Sequence, residues 1–344
     1  MLHAVPLRET GDAGAPLRVT TVSGRHTGLR PDVGLPACSC PIAAMLLVVA
    51  AAMAPTGSSR AGQGPVPEGP TRTVYVSATD GKGRPVMDMA AADFRVEEDG
   101  RPRPVQAAAL SRTGLTIVLM IDDGGLGLQS MREGAGAFVT RLRGKAQISI
   151  VTTGGRNIRL TDFTTSTPTL IAAVNKIYAR NTSGAYLLDG LFEVAQSFAA
   201  VEIPRPVIVS VAAEGQEFSD TKVEDVLNAL LRSRAQLYVI RLGNPVIGQS
   251  NALGLERGES LASESVRLNA VLGQGPARSG GRSDQLIRHT GIPPLMDQIA
   301  VELADQYAVT YVTTDSSARD VKLQVETTRR GVRLRAPTRV GTGR

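Results

Sequence analysis

The sequence predicts an α/β chain: a mainly parallel sheet with helices on both faces, flanked by a small β unit built from its two ends. Three observations predict it. Continuous apolar runs such as "LTIVLMID" alternate with segments of helical spacing, the rhythm of parallel strands buried on both sides. Alternating, β-branched stretches occur only near the two ends of this region. With 344 residues and 42% apolar composition, the chain can fill about two cores.

The elements follow in order. "RTVYVSAT" alternates as a strand, and "DGKGRPV" carries turn chemistry in its Asp-Gly and Gly-Arg-Pro steps. "DFRVEEDGRPRPVQAAAL" reads as strand, Asp-Gly turn, strand. "LTIVLMID" is a buried strand and "LQSMREGAGAFVTRL" a helix. "QISIVTTG" and "IRLTDF" are strands. "TPTLIAAVNKIYAR" is a helix with Thr167 expected as N-cap and Pro168 in the first turn. "AYLLDGLFEVAQSFAAV" is a helix, "RPVIVSVAAEG" a buried strand, "VEDVLNALLRS" a helix and "QLYVIRLG" a strand. The Gly-, Ser-, Asn- and Arg-rich stretch from Asn244 to Ser283 reads as a loop, with a short helix near Leu253 to Leu272. "SDQLIRHTG" and "PPLMDQIAVELADQ" read as helical, and "YAVTYVTT", "DVKLQVETT" and "GVRLRAPT" as three strands. Alternating strands at both ends would expose apolar faces alone, so the outer pieces are expected to share one β unit.

Ahead of this lies "PIAAMLLVVAAAMAP", Pro41 to Pro55. Its length suits the apolar region of an export signal and is short for a membrane span. Cleavage is expected between about Ala54 and Pro65. Both cysteines, Cys38 and Cys40, precede the run. The mature chain then has no thiol for catalysis or metal binding. The expected localisation is periplasmic, cell-envelope or secreted, with no transmembrane span after cleavage.

Composition excludes other classes. Trp is absent and aromatics are 3%, which argues against stacking platforms for sugars or bases. The net charge of +6 is mild, and part of it sits in the arginine-rich tail. No nucleic-acid partner is expected, because neither a dense basic face nor a recognisable motif is present.

The segment "VSATDGKGRPVMDMAAADFRVEEDGRPRPV" resembles the leading segment of the von Willebrand factor A-related domain of acidobacterial type, an exported bacterial family. Asp80, Gly83, Pro85, Val86, Asp93, Phe94, Glu98, Asp99 and Gly100 carry the likeness. "ELADQYAVTYV" resembles the family's closing segment at Gln306, Tyr307 and Tyr311. The resemblance covers roughly residues 71 to 340. It implies a von Willebrand A-type, Rossmann-like domain at 113–304, a signal peptide and linker at 1–64, an N-terminal β segment at 65–112 and a C-terminal one at 305–344.

The resemblance also implies a metal-ion-dependent adhesion site. Its pattern is D-x-S-x-S after the first strand, a Thr before a later helix and an Asp after the fourth strand. Mg²⁺ takes near-octahedral oxygen ligands and keeps waters, which suits hydroxyls beside one carboxylate. In this sequence Asp122 stands first, but the serine positions are Gly124 and Leu126, the threonine position is Ala185, and the last acid is Glu214. No metal and no cofactor are therefore expected. A surviving Mg or Ca site, if any, would draw on Asp122, Asp123 and Glu214. Candidate binding-surface residues are Asp122, Asp123, Gly124, Gly125, Ala185 and Glu214.

Other chemistry is thin. The G-x-G-x-x-S from Gly125 to Ser130 follows a strand, but Asp122 and Asp123 would repel a phosphate. His289 is expected near a helix C-terminus, where its charge is favoured, without a nucleophile beside it. "SDTK", Ser219 to Lys222, matches S-x-x-K but lacks a K-T-G partner and is expected to cap the helix that follows. Asn181 heads an N-T-S pattern that fits a glycosylation acceptor, which a bacterial export context makes uninformative. Asp189 is expected as a polar helix position. The sequence thus favours an exported, non-enzymatic binding or scaffold protein with an unknown protein partner, met through the loops at the strand ends or an edge strand. The alternatives are a cation-dependent adhesin and a serine hydrolase around Ser219.

Overall fold

A computed structural model of the chain describes residues 69–124, 127–180, 184–213, 216–243, 259–315 and 320–341. The leader, Asn181, Gly125, Leu126 and Glu214 lie outside them. No helix among the described residues is long and apolar enough to cross a membrane.

In chain order the elements are β1 (Thr71–Thr79), β2 (Phe94–Glu98), β3 (Arg101–Arg103), β4 (Val105–Leu110), β5 (Leu115–Ile121), α1 (Leu128–Arg141), β6 (Ala146–Thr152) and β7 (Ile158–Thr164). Next come α2 (Thr167–Asn175), β8 (Gly184–Ala185), α3 (Leu187–Val201), β9 (Pro206–Ala213), β10 (Gln216–Glu217), α4 (Val223–Ser233) and β11 (Gln236–Leu242). The chain continues with α5 (Glu259–Ser279), β12 (Ser283–Leu286), α6 (Ile292–Ala304), β13 (Tyr307–Val312), β14 (Val321–Thr327), β15 (Arg333–Arg335) and β16 (Arg339–Val340).

The central sheet runs β12-β11-β9-β5-β6-β7. Every pairing is parallel except β6 with β7. In β5, Ile117, Leu119 and Ile121 enter the core beneath α1, α2 and α6, while Val118 and Met120 enter the core beneath α3, α4 and α5. This is why the strand reads as one apolar run: each face buries side chains worth roughly 1.5–3 kcal/mol apiece.

The end segments form two antiparallel sheets, β15-β1-β13-β4 and β16-β14-β2-β3. β1 pairs with β13 from Thr71↔Val312 to Val76↔Tyr307, and β2 pairs with β14. Val74, Val76, Phe94, Val96, Tyr307, Val309, Tyr311 and Leu323 share one core. At the junction with the α/β part, the buried Arg205 donates to the carbonyls of Thr113 and Leu303 and to Gln306 Oε1.

Three local expectations are corrected. "SDQLIRHTG" is not helical. Ser283–Leu286 form β12, parallel to β11, with Asp284 and Leu286 turned inward and Ser283 and Gln285 outward. Pairing with the open side of β11 outweighs a helical bias that four residues cannot exploit. The stretch read as a loop with a short helix near Leu253 to Leu272 carries the longer, 21-residue α5 at Glu259–Ser279. Its apolar contact is narrow, with Val271 and Leu272 buried and Leu268 packed against them. The N-cap of α2 is Ser166, whose hydroxyl accepts from the Thr169 amide. The helix stops at Asn175, leaving Arg180 in a loop.

Candidate functional site

In this strand order β5 lies between β6 and β9, and the chain leaves β5 through α1 on one face of the sheet and β9 through α4 on the other. The crevice at the carboxyl ends of β5 and β9 is therefore a topological switch point, where open α/β sheets place ligands. Asp122 and Asp123 follow β5 into that crevice, and Ala213 ends β9 beside them.

Asp122 is buried, and both of its oxygens are taken by backbone. Oδ1 accepts from the Gly124 amide at 3.0 Å, closing a tight turn, and Oδ2 accepts from the Ala213 amide at 3.2 Å. Burial pushes its carboxyl above the usual range. The two amides pull it back, and the neighbouring Asp123 charge adds to the rise.

Asp123 is fully buried, and Arg180 holds it from two directions. The Arg180 amide donates to the Asp123 carbonyl at 3.0 Å. Arg180 Nε lies 3.0 Å from Asp123 Oδ2, where the two meet as charges out of line for a hydrogen bond. Oδ1 accepts from the Gly154 amide at 2.9 Å. The guanidinium also reaches Thr152 Oγ1 at 3.2 Å and stacks 5.5 Å from the Tyr178 ring. Burial raises the Asp123 carboxyl above its usual range, against the pull of Arg180 and the Gly154 amide. Gly154 is obligatory for packing: a Cβ there would fall 2.6 Å from both Asp123 Oδ1 and the Gly124 nitrogen.

The third wall is the start of α3. Ala185 is buried and pairs through β8 with β10. The N-cap residue of α3, Tyr186, makes no side-chain cap. The capping comes from a distant segment instead. Glu217 accepts from the Leu187 and Leu188 amides at 3.3 and 3.2 Å, and Ser219 Oγ accepts from the Asp189 amide at 2.9 Å. Asp189 answers by accepting from the Thr221 amide and hydroxyl at 3.0 and 2.6 Å. A carboxylate on the free amides of a helix start is stabilising on both hydrogen-bond and dipole grounds. Burial nonetheless raises the Glu217 carboxyl above its usual range, while the Ser219 and amide hydrogen bonds oppose the rise.

These contacts revise the reading of Ser219. It does not cap α4, whose N-cap is Lys222 with no side-chain cap. Ser219 is buried and spent on α3. His289 does not end a helix. It is exposed in a short turn before α6, where a Cβ on Gly127 would fall 2.6 Å from its own Cβ. Gly127 starts α1 with φ +88°, a backbone conformation that favours glycine.

The structure brings Asp122, Asp123, Gly124 and Ala185 to one end of the sheet. The metal that such folds imply does not fit the described residues. Both Asp122 oxygens accept amides, Asp123 faces a guanidinium, and Gly124 and Ala185 offer no hydroxyl. No group of three His, Cys, Asp or Glu side chains gathers among the described residues. Sequence reasoning missed Arg180 and Glu217. Neither carries a local signal, because each acts on an element distant in the chain.

No family model matches the chain, and no curated protein matches it. Solved structures resemble it. Proximal thread matrix protein 1 from the mussel byssus is 14% identical over 60% of this chain and 50% of its own, with a TM-score of 0.42. A form of that protein with a zinc-occupied MIDAS motif is 16% identical, with a TM-score of 0.41. A von Willebrand factor type A structure from Catenulispora acidiphila is 8% identical over 82% of this chain and 75% of its own, with a TM-score of 0.42. The chain spans about half the length of the mussel protein. At such identities and scores the likeness carries no argument about activity or partner, and the fold is read from the chain's own strand order. The α/β part is von Willebrand A-type by its own strand order and its one antiparallel edge.

Proposed function

We propose that this chain is an exported, non-enzymatic protein-binding or scaffold protein of the acidobacterial von Willebrand A-related type, with a degenerate metal-ion-dependent adhesion site. One observation supports the reading above others: both acids after β5 already have partners from the chain itself. A hard cation here would have to compete with the guanidinium for Asp123 and share Asp122 oxygens that already accept backbone amides, and would gain few other oxygens in return. What is left at the carboxyl end is a crevice whose two acids are held by the chain's own amides and one arginine, suited to protein contact without a bridging cation.

The test is thermal unfolding in EDTA against millimolar Mg²⁺, Mn²⁺ and Ca²⁺. A cation bound only by the folded state raises stability by about 2.7 kcal/mol at a hundredfold excess over Kd. The expected result is no shift. An upward shift that vanishes in Asp122→Ala favours the cation-dependent adhesin. A fluorophosphonate probe is expected to leave the buried Ser219 unlabelled, and labelling there would favour the hydrolase. Mass spectrometry of the exported chain is expected to find a start between about Ala54 and Pro65. Capture of a partner from the native envelope fraction tests the binding role itself.

A further inference from the structure

A cavity of about 630 Å³ lies at the other end of the sheet, by the amino ends of β9 and β11. Thr71, Arg72, Thr73, Val74 and Tyr75 all line it. Side chains of a strand alternate between faces, so five consecutive lining residues mean that β1 presents its edge.

The hydrogen-bond register says which backbone groups that edge offers. The Thr313 amide donates to the Pro70 carbonyl, so Pro70, Arg72, Val74 and Val76 are the residues that bond toward β13. Thr71, Thr73 and Tyr75 direct their backbone groups to the opposite side. There β15 covers only Ser77 to Thr79, pairing Ser77 with Arg335 and Thr79 with Arg333. Continuing that register would set Pro337 against Tyr75. Proline has no amide to donate, so the ladder stops, and the chain turns away into β16, which pairs with β14 of the other sheet. The Tyr75 carbonyl is met instead by the side-chain amide of Gln236 at 3.3 Å. The amide and carbonyl of Thr71 and of Thr73, and the Tyr75 amide, face the cavity, and Thr71 and Thr73 are exposed.

The walls decide what fits. Phe198, Leu231 and Val340 supply apolar surface. Five arginines line the cavity against two acids, Glu202 and Asp320. Asp320 is paired with Arg339, and Arg72 with Glu98. That leaves Arg232 and Arg234 at the end of α4 and Arg278 at the end of α5 against Glu202, a net positive field.

We infer that the open edge of β1 at Thr71–Tyr75 is a docking site for an extended, acidic peptide segment of a partner protein, which adds a strand to the sheet. Main-chain hydrogen bonds hold such a segment and side-chain pockets select it. Five residues of strand span about 17 Å. The inference rests on the protein-binding reading above and gives that reading an edge and a partner chemistry.

The experiment uses the complete chain and two labelled eight-residue peptides, one alternating valine with glutamate and one alternating valine with lysine. Fluorescence anisotropy is expected to show saturable binding of the glutamate peptide, at least tenfold tighter than the lysine peptide. Thr73→Pro removes the outward amide together with the hydroxyl that bonds Thr310 Oγ1 and is expected to abolish binding, whereas Thr73→Val removes the hydroxyl alone and is expected to keep it. Arg234→Glu is expected to weaken the glutamate peptide and serves if Thr73→Pro does not fold. Hydrogen exchange at Thr71 and Thr73 is expected to be fast in the free chain and slowed by the glutamate peptide. Slow exchange in the free chain, equal binding of both peptides, no saturable binding, or indifference to Thr73→Pro would each overturn the inference. Failure here with capture of an envelope partner intact sinks the edge alone, and failure of that capture sinks the binding reading.

Discussion

Arg180 closes on Asp123 twice, through its amide on the Asp123 carbonyl and through its guanidinium, 3.0 Å from the carboxylate. The carboxylate is fully buried and the guanidinium nearly so, at 14% exposure. An arginine thus supplies, from within the chain, the positive charge that a buried acid at the end of β5 requires. Asp123 thus has its countercharge from the chain itself, while Asp122 has two backbone amides.

Removing one partner of such a pair leaves the other charged and buried. Arg180→Met is expected to cost about 3–5 kcal/mol. Asp123→Asn added to it should restore part of that loss. Urea unfolding of the wild type, both single variants and the double variant measures the coupling, and independent, additive losses would show that the pair is not a unit.

Restoring the hydroxyls alone is expected to fail. Gly124→Ser, Leu126→Ser and Ala185→Thr supply ligands but leave Arg180 beside Asp123. The same three changes together with Arg180→Met are expected to give an Mg²⁺-dependent rise in Tm. If the triple variant shows the rise unaided, Arg180 is not what excludes a cation.

Glu217 gives a pH signature. Its folded-state carboxyl is raised above the ordinary 4.5, so the folded chain holds that proton more tightly than the unfolded one. Stability from this group is therefore fully present below about 4.5 and is lost as pH rises through the higher folded value. Glu217→Gln does not titrate. Relative to it, the wild type should be best placed at low pH and lose ground as pH rises from 4 toward neutrality. Paired urea midpoints across that range check this, and a gap that widens in favour of the wild type with rising pH contradicts it.

Gly154→Ala puts a methyl group 2.6 Å from Asp123 Oδ1 and from the Gly124 nitrogen. The turn after β5 has to move or lose the Gly154 amide bond to Asp123. A loss of about 1–3 kcal/mol is expected, read as a lower Tm. An unchanged Tm would mean that the turn relaxes freely.

Gln306 is fully buried where the β unit meets the sheet. It accepts from Arg205 and donates to Ser77 Oγ and Tyr238 Oη, at 2.8, 3.0 and 3.1 Å. Gln306→Leu leaves Arg205 and Tyr238 short of partners and is expected to cost about 1–3 kcal/mol. A single cooperative transition that shifts as a whole would mean that the end strands and the α/β part unfold together. Two separated transitions would mean that they do not.

The sequence by itself determined the parts whose signal is local. Strands buried on both faces read as apolar runs because every residue in them meets a core, as Ile117 to Ile121 do. Alternation in β13 and β14 followed from one face meeting a core and the other less so, whereas β1 buries Val76, Ser77 and Ala78 in succession where it meets the α/β part. The position of Asp122 and Asp123 at the end of β5, and the missing hydroxyls at Gly124 and Ala185, were also legible, since residue type and strand end are both properties of a short window. Tertiary structure decided the rest. Only there does Ser283–Leu286 become a strand, because the open side of β11 is what it pairs with. Only there does Arg180 meet Asp123, Glu217 cap α3 and the pairing of β15 with β1 end at Ser77↔Arg335, short of Tyr75. Each of these is a meeting of groups far apart in the chain. Its energy comes from burial and charge at a place that exists only once the sheet has formed.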